Sequence, residues 1–312
     1  MKQKKRRTSY PWLLFLTAGL LALTAIAAIG IAQSVSAKSS PFVASRALAD
    51  MKAMVGFGPR PAGSDAIEKT RTYIIAELKK AGLKPELDEF MGSTPRGRIR
   101  MINIRAVHPG TRPATIVLSG HYDTKVFSDI KFVGASDGAS SAAWLLEMAR
   151  VTANMKLDNN LEFVFFDGEE AVVDWSDTDS RYGSRYDVER RTKAGTLQQL
   201  KALVLVDMIG DKNLDIKREE QSTDWLTTII WNNAHALGYN REFLNESQVV
   251  EDDHLPYLSA KVPAADIIDF DYPDWHKQSD TLDKVSGDSL KKVGDAVYAS
   301  LPEIDRRVSA AR

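Results

Sequence analysis

Residues 162–170 read EFVFFDGEE, a short and mainly apolar run that ends in a pair of carboxylates. Two further mainly apolar runs, residues 203–207 and 264–270, also have the length expected of buried strands. Helix-like stretches at residues 139–155 and 222–238 separate the three runs. Strands that alternate with helices predict an α/β fold, a three-layer α/β/α sandwich with a mostly parallel mixed central sheet. Ligands bind such sheets at the carboxyl ends of the strands, which is where the acidic residues fall.

The flanking parts of the chain predict more helices and one hairpin. Residues 99–107 and 114–119 alternate or run apolar with Ile and Val, as strands do. The tight connection His108-Pro109-Gly110 predicts that these two strands pair with each other. Apolar spacing typical of helices occurs at residues 42–56, 65–82 and 287–308.

The first residues differ in composition from the rest of the 312-residue chain. Basic residues crowd the first seven positions, and an uncharged stretch at residues 12–32 follows, about as long as the roughly 20 residues that cross a bilayer. We therefore predict an exported protein, with residues 1–37 as a signal-anchor or signal peptide and residues 38–312 as one zinc-dependent catalytic domain. We expect either a single-pass protein anchored in the membrane through this segment, with its catalytic domain outside the cytoplasm, or a periplasmic or secreted protein if the chain is cleaved near Ala37.

Charge and cysteine content exclude several functions. Beyond the N-terminal segment acidic residues outnumber basic ones and no basic stripe occurs, so the sequence predicts no nucleic-acid partner. The chain has no cysteine, which excludes disulfides, thiol catalysis and cysteine-ligated zinc.

Three residues after apolar runs form a candidate metal site. They are Asp137 in VGASDG, Glu170 at the end of EFVFFDGEE, and His276 in DWH. One Asp, one Glu and one His can hold zinc and leave a fourth position open, as catalytic sites do. Glu169 would then stand beside the metal as general base and acid. The alternatives are an N-cap role for Asp137 and a solvated acidic turn for the glutamate pair.

Other polar residues could support that site. His121 and Asp123 lie two positions apart at a strand end and so share a face, either as ligands of a second metal or as second-shell groups. Asp207 ends another buried run and has the same two possible roles. Asp252 is expected to face the pocket, while Asp253 could instead cap the helix that follows it.

These motifs resemble those of zinc-dependent exopeptidases and, within that clan, of the animal-type glutaminyl cyclases. The resemblance covers roughly residues 40–310 and rests on HYDTK at 121–125, FFDGEEA at 165–171, the run from Trp175 through DSRYGSR, DDHLPY at 252–257, and Trp275-His276. It implies a zinc exopeptidase-like fold and one Zn2+ held by Asp137, Glu170 and His276. It further implies a proton shuttle and acid network of Glu169, Asp207 and Asp252, and substrate contacts from Trp175, Trp275 and Tyr272.

The implied reaction converts the N-terminal glutamine of peptides or proteins to pyroglutamate with release of ammonia. The alternative is an aminopeptidase of the same clan with two zinc ions, in which His121 and Asp207 join as ligands and Asp137 bridges. A third possibility is an inactive, membrane-tethered binding module that keeps the fold. The products formed from a glutamine-initiated peptide separate these hypotheses.

Overall fold

The structure is a computed structural model that describes residues 40–310. The predicted N-terminal segment, residues 1–37, lies outside the described residues. Within residues 40–310, no helix combines the length and the apolar character that crossing a bilayer requires. The helices are α1 Ala44–Gly56, α2 Asp65–Lys80, α3 Ala139–Val151, α4 Tyr182–Ala194, α5 Asp224–Ala236, α6 His254–Ser259 and α7 Gly287–Ala310. The strands are β1 Glu86–Thr94, β2 Gly97–His108, β3 Arg112–His121, β4 Asn159–Phe166, β5 Leu200–Asp207, β6 Ile216–Glu219, β7 Phe243–Gln248 and β8 Ala264–Ile268.

The central sheet has six strands in the order β1-β2-β4-β3-β5-β8. β4, β3, β5 and β8 run parallel to one another, while β1 pairs with β2, and β2 with β4, in antiparallel fashion. The parallel strands are apolar on both faces because helices cover both faces. On β3, for example, Ile116 and Leu118 face one core and Val117 faces the other. The predicted sandwich with a mostly parallel mixed sheet is therefore confirmed.

The predicted hairpin between β2 and β3 is wrong, because β4 lies between these two strands. The connection from His108 to Arg112 passes over the start of β4 instead of turning back on β2. Gly110 makes this possible, since a Cβ there would lie 2.4 Å from the carbonyl carbon of Asn159. The amides of Thr111 and Arg112 both donate to the Asp158 carbonyl at 2.8 Å, which fixes the crossing.

β2 does form a hairpin, but with β1, which the sequence patterns did not predict. β1 is a mostly exposed edge strand, so its sequence has no apolar face to reveal it. Helix α4 was missed for the same reason: polar residues dominate it, and ion pairs hold it in place. Arg191 in α4 bonds Asp187 at 2.6 Å and Glu162 of β4 at 2.9 Å.

Helices α1, α2, α3, α5 and α7 cover one face of the sheet and form the larger core. Helices α4 and α6 cover the other face of the sheet and pack on a smaller hydrophobic core. The strand ends that carry the candidate residues all open at one edge of this sandwich: His121 ends β3, Asp207 ends β5, and the loop to Glu170 follows β4. The fold thus brings together residues that are far apart in the sequence.

Candidate functional site

Asp137, Glu170 and His276 converge at this edge, with ligand atoms all within 4.8 Å of one another. His276 Nε2 lies 3.4 Å from Asp137 Oδ2 and 3.3 Å from Glu170 Oε1. Ligands about 2.0 Å from a tetrahedral zinc ion are about 3.3 Å apart, so these spacings fit a zinc site. Asp137 Oδ2 is buried and has no hydrogen-bond partner among residues 40–310, as expected of an atom reserved for a cation.

The turn that carries Asp137 is held by side chains from distant parts of the chain. The Asp280 carboxylate accepts the amides of Ser136 at 2.8 Å and Asp137 at 3.2 Å. Asp137 does not cap α3, whose N-cap is Gly138 and has no side-chain cap bond. The buried guanidinium of Arg60 donates to the Gly134 carbonyl at 2.8 Å, which fixes the start of the turn. Neither Asp280 nor Arg60 stands out in the sequence, because each acts on backbone far from it.

The loop that carries the glutamate pair is fixed by Asp123. Its carboxylate accepts the amides of Glu169 at 3.2 Å and Glu170 at 3.4 Å. Gly168 precedes the pair with φ +68°, and a Cβ there would lie 2.6 Å from Met101 Sδ. Asp123 therefore holds the backbone of both glutamates and is not among the residues that line the cavity.

His276 has φ +54°, a left-handed conformation that costs a non-glycine residue about 1–3 kcal/mol. Its ring stacks on that of Trp275 with centroids 4.4 Å apart. Arg181 and Met208, both next to the site, also have positive φ. Strained backbone conformations are concentrated at functional sites. Within residues 40–310, four non-glycine residues have positive φ, and three of them surround this site.

Glu169 lines the cavity beside the ligand cluster and is 7% exposed. Burial raises the pKa of its carboxyl well above the usual range; the nearby His121 lowers it, and the carboxylates of Glu170 and Asp252 add to the rise. A carboxyl with a raised pKa binds a proton more strongly than an ordinary glutamate does, which suits general base and acid catalysis.

A second cluster adjoins the first, formed by His121, Asp137 and Asp207, again with ligand atoms within 4.8 Å. His121 Nε2 lies 3.0 Å from Asp207 Oδ1 and 3.2 Å from Asp137 Oδ1, and its Nδ1 faces Asp123 at 3.4 Å. The same Asp207 oxygen accepts the Met208 amide at 2.7 Å. This histidine is therefore enclosed by carboxylates on both ring nitrogens.

Asp252 lines the cavity as predicted, and one of its oxygens is buried without a partner in the described part of the chain. Burial, and then the carboxylates of Asp207 and Asp253, raise the pKa of Asp252 well above the usual range. Asp253 does not cap α6 with its side chain; it accepts a hydrogen bond from the Ser184 hydroxyl. Asp266, which sequence reasoning missed, lies behind them, fully buried in the middle of an apolar strand. An acidic residue in the middle of an apolar strand is the sequence signal that could have revealed Asp266.

The cavity above these residues measures about 520 Å³. Trp175 and Trp275 line it, each 38% exposed. The Trp175 indole donates to Glu251 at 3.1 Å, and Trp275 packs on Phe270 with ring centroids 4.9 Å apart. Both tryptophans therefore line the cavity that contains the ligand cluster, and each is held by a different neighbour.

Tyr272 does not line this cavity, contrary to the predicted substrate contact. It is 3% exposed, and its hydroxyl donates to Asp280 at 2.7 Å. Because Asp280 holds the amide of Asp137, Tyr272 supports the turn of a candidate ligand instead of contacting substrate.

An α/β/α sandwich with two carboxylates and one histidine gathered at its strand ends defines a metal-dependent enzyme of the zinc exopeptidase class. The model of Peptidase family M28 matches residues 103–301. The glutaminyl-peptide cyclotransferase of Dictyostelium discoideum is 30% identical over 276 residues, which cover 72% of this chain and 76% of that protein. The chain belongs to peptidase family M28 and, within it, to the glutaminyl-peptide cyclotransferases.

Solved structures agree with this assignment. A glutaminyl cyclase from an Acidobacteriales bacterium superposes with a TM-score of 0.81 at 37% identity, covering 88% of this chain and 100% of that one. A Zn-dependent exopeptidase from Parabacteroides distasonis gives a TM-score of 0.78 at 26% identity, covering 85% and 99%. The predicted zinc exopeptidase-like fold is thereby confirmed.

Proposed function

We propose that this protein converts the N-terminal glutamine of peptides or proteins to pyroglutamate and releases ammonia. The observation that carries the proposal is the placement of Glu169 beside the Asp137, Glu170 and His276 cluster in a cavity walled by two tryptophans. The reacting amine and amide belong to the same residue, so the enzyme needs to orient one side chain and move one proton.

Asp137, Glu170 and His276 would hold zinc. When bound, zinc supplies Lewis-acid polarisation of the side-chain amide carbonyl of the substrate. The chain supplies the rigidity around it, since Asp280 and Asp123 fix the backbone of the two carboxylate ligands. The stack on Trp275 holds the His276 ring in place, although its backbone has a left-handed conformation.

Glu169 would take a proton from the substrate α-amine as its nitrogen bonds to the amide carbon. It would return that proton to the amide nitrogen as the carbon–nitrogen bond breaks and ammonia leaves. The raised pKa of Glu169 supports both transfers, because the carboxyl then exchanges a proton at little cost. Asp252, which also lines the cavity, would accept a hydrogen bond from the same amine.

We propose one zinc ion per chain. Asp207 Oδ1 already accepts the Met208 amide and lies 3.0 Å from His121 Nε2, so two of the three candidate ligands of a second ion bond each other. The His121, Asp137 and Asp207 cluster nevertheless supports a second candidate function, the aminopeptidase with two zinc ions. Metal analysis of the purified chain distinguishes one equivalent of zinc from two.

Mass spectrometry of products from a glutamine-initiated peptide and a leucine-initiated peptide tests the reaction. We expect the first peptide to lose ammonia and keep its full chain, while the second stays unchanged. Free glutamine or free leucine among the products would support the aminopeptidase instead. The Glu170→Gln variant, which removes a proposed ligand, serves as the inactive control.

We also propose that residues 1–37 export the domain, either as a membrane anchor or as a cleaved signal. The supporting observation is the basic start followed by the uncharged stretch at residues 12–32. Cell fractionation and N-terminal sequencing of the mature protein test this. Protein recovered from the cytoplasm with its N-terminus intact would contradict it.

A further inference from the structure

The chain between the glutamate pair and α4, residues 171–181, is a loop without helix or strand, which we call the tryptophan loop because it carries Trp175. Its two ends lie together, since the Arg181 amide donates to the Glu169 carbonyl at 2.7 Å. Residues 173–178 are exposed. An exposed loop whose ends meet needs internal contacts to keep one conformation, and such loops are frequently functional.

Asp179 supplies those contacts. Its carboxylate accepts the backbone amides of three consecutive residues, Val172 at 3.0 Å, Val173 at 2.8 Å and Asp174 at 3.0 Å. It also accepts the Tyr182 hydroxyl at 2.7 Å. Asp179 is 3% exposed, and burial alone would raise its pKa, but these four donors hold the pKa below the usual range. The side chain is therefore charged at neutral pH, and its hydrogen bonds are of the strong, charge-assisted kind.

The amides that Asp179 holds lead directly into the wall of the catalytic cavity. Val173, Asp174 and Trp175 all line that cavity. The Arg181 guanidinium lies over the Trp175 ring, 5.5 Å from its centroid, and so supports the wall from within the same loop. Asp179 itself is not among the residues that line the cavity. Any effect of its carboxylate on a substrate must therefore pass through the wall residues.

We propose that Asp179 is a positioning residue for the substrate, which holds the tryptophan loop so that Trp175 keeps its place in the cavity wall. The inference rests on the proposed function, because it takes the substrate of the cavity to be a glutamine-initiated peptide. Asp123 independently holds the amides of Glu169 and Glu170, so losing the contacts within the tryptophan loop should move the wall and leave the metal ligands in place. A wall that contacts the substrate both before and during the reaction contributes to binding, so its displacement should raise KM more than it lowers kcat.

Asp179→Asn tests the proposal, because it keeps the size of the side chain and replaces one acceptor oxygen by an amide group that faces other donors. With a glutamine-initiated peptide we expect KM to rise about tenfold, the effect of about one lost hydrogen bond, while kcat stays within about threefold. The zinc content should equal that of the parent. A purely structural role would instead lower the unfolding temperature and leave KM unchanged.

Asp177→Asn is the matched control, since it removes the same charge from the same loop. The Asp177 side chain is 96% exposed, and its ion pair with Arg181 is of a kind that contributes little. We expect the KM of this variant to stay within about twofold of the parental value.

A double variant shows whether Asp179 acts through Trp175. Trp175→Ala alone should raise KM, and adding Asp179→Asn to it should raise KM little further, because the side chain being held is already gone. Effects on KM that multiply in the double variant would overturn the proposal. So would a parental KM in the Asp179→Asn single variant.

Fluorescence separates this inference from the proposed function. Acrylamide should quench Trp175 more strongly in Asp179→Asn than in the parent, with the Trp175 signal taken as the difference between each protein and its own Trp175→Phe version. A parent that forms no pyroglutamate would refute the proposed function, and the quenching would still decide whether Asp179 holds the tryptophan. Equal quenching of Trp175 in the two proteins would refute the inference alone.

Should Asp179→Asn fail to fold, Tyr182→Phe repeats the test, because it removes one of the four donors and keeps the ring. The KM and the quenching of Trp175 should then rise in the same direction by a smaller amount. Parental values of both quantities in Tyr182→Phe would count against the proposal.

Discussion

Replacing Glu169 by glutamine should stop turnover without releasing zinc. The change keeps the size of the side chain and removes only its ability to carry a proton. Glu169 is not in the Asp137, Glu170 and His276 ligand cluster, and its carboxylate lies 3.9 Å from His121 Nδ1. Loss of a general acid and base typically lowers kcat by about 10²–10⁴. At 1.36 kcal/mol for each tenfold change, that is a rise of about 3–5 kcal/mol in the activation barrier.

The assay is ammonia release from a glutamine-initiated peptide, together with zinc content and a pH profile. The parent should lose kcat/KM as the pH falls through the raised pKa of Glu169, because the protonated carboxyl cannot accept the proton of the amine. The variant should lack that acid limb, while its KM stays close to that of the parent.

Glu170→Gln is the matched control, an identical change one residue further on. It removes a ligand, so it should lower zinc content as well as turnover. The reasoning is refuted if Glu169→Gln keeps more than about a tenth of the parental kcat, a loss too small for a proton carrier. It is equally refuted if this variant loses zinc as Glu170→Gln does.

Three further predictions concern the support of the site and the fold. Tyr272→Phe removes a buried hydrogen bond to Asp280. Urea unfolding should show a free energy of unfolding lower by about 1–2 kcal/mol, and zinc titration an affinity lower by about 10–100-fold. The parent should lose more stability than Asp269→Asn as the pH rises from about 4 to about 8, because the folded state, with its pKa of about 8 at this residue, keeps a proton that the unfolded chain releases. Equal slopes in urea unfolding would show that residue 269 does not titrate this way. Gly110→Ala should cost about 3 kcal/mol or prevent folding, since its Cβ would meet the β4 backbone, whereas Gly56→Ala at an open position should be nearly neutral in thermal unfolding.

The strand ends and the candidate ligands were predictable because their signals are local. An apolar run that stops at a carboxylate marks both a buried strand and the edge where ligands bind, as residues 162–170 illustrate. The separate runs around Asp137 and His276 added one ligand type each. In a parallel sheet the carboxyl ends of the strands lie at one edge, so these residues could be expected to meet there even though no contact between them was known.

The supporting residues were not predictable in this way. Asp280 and Arg60 act on the backbone of a turn some 75 to 145 residues away, and nothing in their own neighbourhoods records it. Tyr272 was placed wrongly because its position next to the tryptophan segment says nothing of which way the ring points. The pairing of β2 failed because strand order depends on which residues pack at the crossing, here Gly110 on Asn159.

The crossing of residues 108–112 over the start of β4 also constrains how this chain can be made. β2 has only β1 beside it, and β3 has no neighbour in the sheet, until residues 159–166 leave the ribosome. Unpaired edges of apolar strands invite pairing with other chains. Fragments that stop before Asn159 are therefore expected to aggregate or to depend on chaperones, so a shortened expression product should be cut elsewhere.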